Sequence, residues 1–240
     1  MEYISIASTV VTFVFAAAVF IRYRERGGTH LLLWGIGLVL YGLGTLCEAL
    51  LIFTYSEWLL KTWYLCGGML TAAWLGQGTV HLLVRKRNVA KSLTIALTVV
   101  SLIAFYLVFT ASIQAGAPAF DPAQPASGQY KEILGRNGFT IALTIILNTY
   151  GAITLIGGAI YSAYIFWRKG VLKNRMIGNI LIAIGAMMPA TAGTLIKLGV
   201  GDWLYVSELL GVVLMYIGFL QATAKQEVRK TKEAPAISGS

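Results

Sequence analysis

Four ionisable side chains lie within long apolar stretches of this chain, close to the ends of those stretches. Charged groups are costly in hydrocarbon unless a partner or water relieves them, so their presence needs a physical reason. Two explanations stand side by side: ion pairs or snorkelling lysines, and a polar site for a ligand, an ion or a proton. The four residues are Glu48, Lys61, Lys197 and Glu208.

The neighbours of Glu48 predict that it faces the inside of a helical bundle. Gly37, Tyr41 and Gly44 precede Glu48 at helical spacing and form a small and polar stripe on an otherwise apolar helix. The next apolar stretch carries a similar stripe that includes Tyr64. Small residues four positions apart let two helix backbones approach closely, so these stripes are first of all interpreted as packing surfaces.

The composition indicates an integral membrane protein with α-helical spans. The 240 residues are 57% hydrophobic and only 12% charged, whereas a soluble domain carries about 25% charged residues. Seven apolar stretches have about the 20 residues that a helix needs to cross a bilayer. A single domain over residues 1–224 is therefore predicted, followed by a short basic tail over 225–240. The predicted spans are 3–23, 30–53, 58–84, 92–113, 139–167, 176–198 and 203–224.

The distribution of basic residues predicts the orientation of the bundle. Fifteen of the 19 lysines and arginines fall in loops on one side of the predicted membrane or in the tail. Basic residues are retained on the cytoplasmic side, so the N-terminus is predicted outside and the C-terminus inside. The net charge of +9 is explained by this topology and does not indicate nucleic-acid binding.

In this topology Glu48 and Glu208 lie at similar depth, each about 8–9 Å below the outer boundary. An outward-facing pocket is predicted there, covered by the loop over 115–136. The predicted pocket residues are Glu48, Lys61, Tyr64, Lys197 and Glu208.

Other polar residues in the spans are predicted to serve packing. Asn148 lies near the middle of the fifth span, and Gln77 and His81 share a face of the third. Such groups must form hydrogen bonds with neighbouring helices in a bilayer. Pro189 interrupts the sixth span and predicts a kink there, which makes it a candidate hinge.

Several function classes find no support in the sequence. No catalytic motif, phosphate-binding loop or metal-ligand spacing is present, so neither an enzyme nor a metal or other cofactor is predicted. A retinal-binding lysine would belong in the last span, which contains none. Cys47 and Cys66 lie at comparable depth on adjacent spans and are interpreted as packing residues rather than a disulfide.

The hairpin from Trp34 to Arg87 resembles the seven-helix N-terminal membrane region of certain bacterial histidine kinases. The shared features are an acid late in the second span, here Glu48, and an aromatic–Leu–x–Gly stretch in the third, here 64–67. The resemblance implies a sensor in the bacterial inner membrane. Histidine kinases continue into an output domain, so this chain is expected to be a stand-alone sensor, a truncated input domain or a component that signals through a partner.

The functional hypothesis is a membrane sensor that binds a small or amphiphilic ligand and signals through a protein partner. A small-solute transporter is the first alternative, although such carriers repeat prolines in corresponding spans of both halves, and here only Pro189 lies within a span. A non-catalytic subunit of a larger membrane complex is the second alternative. The bilayer is a partner in all three cases.

Overall fold

The computed structural model describes residues 2–84, 86–170, 172–197 and 203–224. Within these residues the chain is helical throughout, apart from loops and one isolated β-bridge between Ile113 and Leu134. The predicted all-α architecture is thereby confirmed. The predicted tail over 225–240 lies outside the described residues.

Seven long helical segments account for most of the described chain, and they follow the predicted stretches within a few residues. Two of the seven contain a π-helical insertion, denoted π1 and π2, and a short additional helix lies in the long loop. In chain order the elements are α1 (Glu2–Arg26), α2 (Thr29–Phe53), α3 (Glu57–Trp63), π1 (Tyr64–Leu70), α4 (Thr71–Leu83), α5 (Arg87–Thr110), α6 (Ala126–Ile133), α7 (Gly138–Ala152), π2 (Ile153–Gly157), α8 (Gly158–Lys169), α9 (Lys173–Lys197) and α10 (Trp203–Thr223).

Within the part of the chain that the structure describes, five helical segments are long and apolar enough to cross a membrane. Their outer faces are rich in exposed large apolar side chains, such as Ile95, Leu102 and Phe105 on α5 and Ile145 on α7. Apolar surface on this scale needs lipid or protein to cover it, which supports a membrane protein. The five segments are Tyr3–Arg26, Thr29–Phe53, Asn88–Thr110, Gly138–Lys169 and Tyr205–Thr223.

The apolar side chains of the interior form two clusters. One surrounds Tyr64 and Met69 and joins π1 to α5, α6 and α7. The other surrounds Leu38 and Val212 and joins α1, α2 and α4 to π2 and the α9–α10 pair. Because both clusters include parts of α2 and of the segment from α3 to α4, these two helices form the partition between them.

Helices α9 and α10 pack with their backbones in contact. Gly178 faces Gly218, and Gly185 faces Gly211, so the glycines recur every seven residues on both helices. A methyl group on Gly185 would lie 2.6 Å from the carbonyl oxygen of Gly211. Only glycine permits this approach, which fixes the register of the two antiparallel helices. We call these four residues the glycine seam.

Candidate functional site

A cavity of about 720 Å³ lies between the two apolar clusters. Trp63 and Tyr64 of the first cluster form part of its wall, and Tyr41 and Leu155 of the second form another part. Residues of α2, π1, α6, α7, π2, α9 and α10 all reach it. Its volume is within the range of about 300–1,000 Å³ that is typical of small-molecule sites.

Two carboxyl groups meet in the wall of this cavity. Glu48 of α2 and Glu208 of α10 both line the cavity, and their side chains lie close enough to interact with each other. Glu48 is only 3% exposed, whereas Glu208 keeps some accessible surface. We call these two residues the carboxyl pair.

One oxygen of the carboxyl pair has no partner in the protein. Oε1 of Glu48 is buried and accepts no hydrogen bond from any described group. An unsatisfied buried carboxyl oxygen is costly, and the residue that carries it lines the cavity. This oxygen therefore indicates that a ligand could bind beside Glu48.

Tyrosines surround the carboxyl pair. The hydroxyl of Tyr41 donates to the backbone oxygen of Glu208 at 3.3 Å. Tyr41 and the buried Tyr205 both lie close enough to interact electrostatically with Glu48 and Glu208. The acids thus lie in an environment of aromatic rings and hydroxyl groups.

The π-helical insertion π1 forms the wall that faces α2 and α7. Asn148 donates through Nδ2 to the carbonyl oxygen of Gly68 at 2.7 Å, and the hydroxyl of Thr71 donates to the carbonyl oxygen of Cys66 at 2.8 Å. These bonds occupy carbonyl groups at the irregular turn, where regular α-helical pairing is disturbed. Asn148, predicted to bond a neighbouring helix, has the main chain of π1 as its acceptor. Single π-helical turns occur frequently at functional sites.

Close approach of glycine residues places the Glu48 helix against this insertion. A methyl group on Gly44 would lie 2.8 Å from the α-carbon of Gly67. The contact brings Glu48, one turn after Gly44, beside the cavity wall. Part of the polar and small stripe on α2 therefore serves packing and site formation together.

The helix α6 in the long loop covers the end of the cavity nearest to that loop. Ser127, Tyr130 and Lys131 of α6 line the cavity. The guanidinium of Arg136 lies 4.7 Å from the ring centre of Tyr130 and 5.6 Å from that of Tyr64, and it anchors the loop by cation–π contacts. Burial raises the pKa of the Tyr130 hydroxyl, and the adjacent guanidinium opposes this effect.

Lys61 is engaged away from the acids. Its ammonium group lies 2.5 Å from the carboxylate of Glu57, one turn earlier, and donates to the carbonyl oxygen of Phe109 at 3.2 Å. It does not line the cavity. The expectation that this lysine pairs with Glu48 or Glu208 is wrong for the described structure, because Glu57 lies on the same helix face at i−4.

Lys197 lies at a different level from Glu208. Its side chain is outside the described residues, but the glycine seam fixes its backbone position. In the register set by Gly185 and Gly211, Glu208 lies opposite Met188. Lys197 is nine residues further along α9, which corresponds to about 13 Å along the helix axis. Of the five predicted pocket residues, the structure thus brings Glu48, Tyr64 and Glu208 together at the cavity.

A second polar cluster lies at the opposite end of the bundle and contains Gln77 and His81. The fully buried Gln77 donates to the carbonyl oxygen of Ala90 at 2.9 Å and to the hydroxyl of Thr94 at 2.8 Å. The Tyr150 hydroxyl donates to Oε1 of Gln77, and His81 shares a hydrogen bond with Thr94 at 2.8 Å. These contacts join α4, α5 and α7, in agreement with the predicted role in packing.

The predicted hinge and the two cysteines lie within helical segments. Pro189 lines the cavity and packs near Gly211, within the continuous helix α9. Cys47 and Cys66 are buried free thiols. Among the described residues, no three His, Cys, Asp or Glu side chains are grouped as metal ligands would be.

Sequence reasoning missed the π-helical insertions, the direct contact between the two acids and the helical form of α6, although it predicted that the loop containing α6 covers the pocket. The average periodicity of apolar residues along a helix does not reveal one π-helical turn. The adjacent glycines 67 and 68 of π1 were the signal in the sequence that could have indicated an irregularity. Comparisons with known proteins add no assignment, because no protein-family model, curated protein or solved structure matches the chain.

Proposed function

We propose that this protein is a seven-helix membrane sensor that binds a small organic ligand in the central cavity and passes the signal to a protein partner. The proposal places the N-terminus outside and the C-terminus in the cytoplasm, as the basic loops indicate. It also assigns the protein to the inner membrane of a bacterium, on the resemblance to histidine kinase input regions.

The observation that carries the proposal is that Glu48, whose buried Oε1 has no hydrogen-bond partner, lines a cavity large enough for an organic molecule. Packing alone favours closing such a space with apolar side chains, because a buried polar atom without a partner is destabilising. A ligand that donates a hydrogen bond to this oxygen would remove that cost. Ligand binding therefore accounts for features that a purely structural bundle leaves unexplained.

Signal transfer is supported by the irregular helices around the cavity. Tyr64 and Gly68 of π1, Leu155 and Ile156 of π2, and Pro189 of α9 all reach the cavity wall. Helices change direction at π-helical turns and prolines more readily than elsewhere. A ligand that contacts these segments can favour one of two helix arrangements, provided that it binds one of them more tightly.

Ligand binding is tested by thermal unfolding of the full chain against a broad panel of small organic compounds. Cys47 and Cys66 are both buried, so a thiol-reactive fluorophore reports unfolding without any added label. A saturating ligand is expected to raise the unfolding midpoint of the wild type by about 5 °C, from the usual linkage of binding and stability.

The Glu48→Gln variant should lose this stabilisation, because the amide alters the acceptor that faces the cavity. Glu132→Gln is the matched control, since Glu132 is exposed on α6 and its replacement makes the same change of charge. The proposal is refuted if no compound stabilises the wild type, or if the compounds that do so stabilise Glu48→Gln equally.

The orientation is tested separately by cysteine labelling. Ala123→Cys in the long loop and Lys169→Cys at the end of α8 place single reactive thiols at exposed positions on opposite sides of the proposed membrane. In spheroplasts, a membrane-impermeant maleimide should label Ala123→Cys, whereas Lys169→Cys should react only after lysis. The wild type, whose two thiols are buried, gives the background. If only Lys169→Cys is labelled in intact spheroplasts, the protein has the opposite orientation to the one proposed.

Transport is a second candidate, favoured by the same interruptions of helical structure around a central cavity, which carriers also use. It differs from sensing in its outcome. A compound that stabilises the wild type should enter proteoliposomes faster with the protein than without it if the protein is a carrier, and at the same rate if it is a sensor.

A further inference from the structure

We propose that the ligand of the cavity is a small organic cation, a protonated amine whose ammonium group binds between Glu48 and Glu208. This inference rests on the proposed function and assigns a chemical class to its ligand. It stands on the geometry of the carboxyl pair, on the free oxygen of Glu48 and on the aromatic lining.

The charge of the cavity favours a cation. Its described lining contains two acidic side chains and one basic side chain, Lys131, which lies on α6. Lys61 is bound to Glu57, and the register of α9 keeps the backbone of Lys197 about 13 Å from the level of Glu208. A buried acid without a countercharge is strongly unfavourable, so a ligand that carries one positive charge removes the largest electrostatic cost of the site.

The hydrogen-bonding capacity of the carboxyl pair matches an ammonium group. Oε1 of Glu48 is buried and has no hydrogen-bond partner, and Glu48 lines the cavity together with Glu208. A primary ammonium has three donors and no acceptor, so it can bond this oxygen and an oxygen of Glu208 together. A neutral alcohol of the same shape offers one donor. A carboxylate offers none and is repelled by the pair.

The remaining lining accommodates the organic part of such a ligand. Tyr41, Trp63 and Tyr64 present aromatic rings to the cavity, next to glycines 44, 67 and 68. Aromatic faces attract cations and also pack against hydrocarbon or aromatic groups. A bare monovalent ion would make no use of this aromatic lining, whereas an arylalkylamine can pack its ring against it.

The test compares probes that share a shape and differ in charge. The first set is tryptamine, indole-3-ethanol and indole-3-acetate, and the second is phenethylamine, 2-phenylethanol and phenylacetate. Each probe is added to the full wild-type chain in lipid nanodiscs, and the unfolding midpoint is read with the thiol-reactive fluorophore. At least one amine should raise the midpoint by about 5 °C at saturation, and its alcohol and acid counterparts should leave it unchanged.

Variants then locate the effect. Glu48→Gln and Glu208→Gln should each weaken amine binding at least tenfold, as judged from the probe concentration at half-maximal shift, whereas Glu132→Gln should bind as the wild type does. Because the comparison of charges is made on the wild type, it stands even if a variant fails to fold.

The outcomes separate this inference from the proposed function. The cationic class is overturned if an alcohol or an acid raises the unfolding midpoint as much as its matching amine does. It is also overturned if all the ligands found in the broad panel are neutral or anionic. In both cases the proposed ligand-binding cavity still stands. A panel that yields other amines but neither probe amine supports the class. If nothing in the panel stabilises the protein, the proposed function fails and the inference fails with it.

Discussion

Replacing Gly185 by alanine should force α9 and α10 apart and strongly destabilise this protein. The new Cβ would lie 2.6 Å from the carbonyl oxygen of Gly211 and 2.8 Å from the amide nitrogen of Met215. Both are main-chain atoms, so the two helices can relieve the overlap only by separating along the glycine seam. Overpacking of this kind costs about 3 kcal/mol, which should lower the unfolding midpoint by about 5–10 °C.

Gly157→Ala is the matched control for this substitution. Gly157 lies in π2, and a methyl group built on it meets no other atom within 4 Å. Its midpoint should stay within about 2 °C of the wild type, since alanine is also the better helix former. Close packing at the seam would be contradicted by a Gly185→Ala protein as stable as the Gly157→Ala control.

Replacing Gln77 by leucine should have a comparable effect at the opposite end of the bundle. The change removes both bonds that Gln77 donates and leaves the Tyr150 hydroxyl without its acceptor. Each lost hydrogen bond contributes about 0.5–1.5 kcal/mol, so the loss of these three bonds should lower the free energy of unfolding by about 2–4 kcal/mol. The midpoint measured by thermal unfolding should fall by about 5–10 °C.

A double-mutant cycle with Tyr150→Phe separates the network from side-chain volume. If the Tyr150 hydroxyl contributes through Gln77, removing both groups should cost less than the sum of the two single changes. Thr98→Val on α5 is the control, because its exposed hydroxyl bonds only to its own helix at Thr94. Strict additivity of Gln77→Leu and Tyr150→Phe would show that the two residues act independently.

The helical segments could be predicted from sequence because their cause is local. Backbone N–H and C=O groups have no water to bond in hydrocarbon, so they must bond one another. A long apolar stretch satisfies this requirement within itself by forming an α-helix. The position of Glu48 inside the bundle also followed from its own helix, since Gly44 and Tyr41 mark the same face. For these features the pattern along one segment contained the physical reason.

The partners of the acids could not be predicted, because they depend on how different helices are aligned. The predicted topology places Lys61 and Glu48 at similar depth in the membrane. In the structure Lys61 instead pairs with Glu57, which lies one turn away on the same helix. Glu208 meets Glu48 because α2 and α10 are aligned so that the Tyr41 hydroxyl of α2 reaches the backbone oxygen of Glu208. The register between helices is determined by contacts that no single segment reveals.

The glycine seam also determines how movement can spread through the molecule. The main-chain atoms of α9 and α10 are in contact at two points seven residues apart. The two helices therefore resist sliding past one another and should move as one rigid unit. Glu208 is near one end of this rigid unit, and Thr223 is at the other. The carbonyl oxygen of Thr223 accepts a hydrogen bond from Arg22 of α1 at 2.5 Å. A small displacement of Glu208 would therefore also move the opposite ends of α9 and α10, and the end of α1 that is bonded to them.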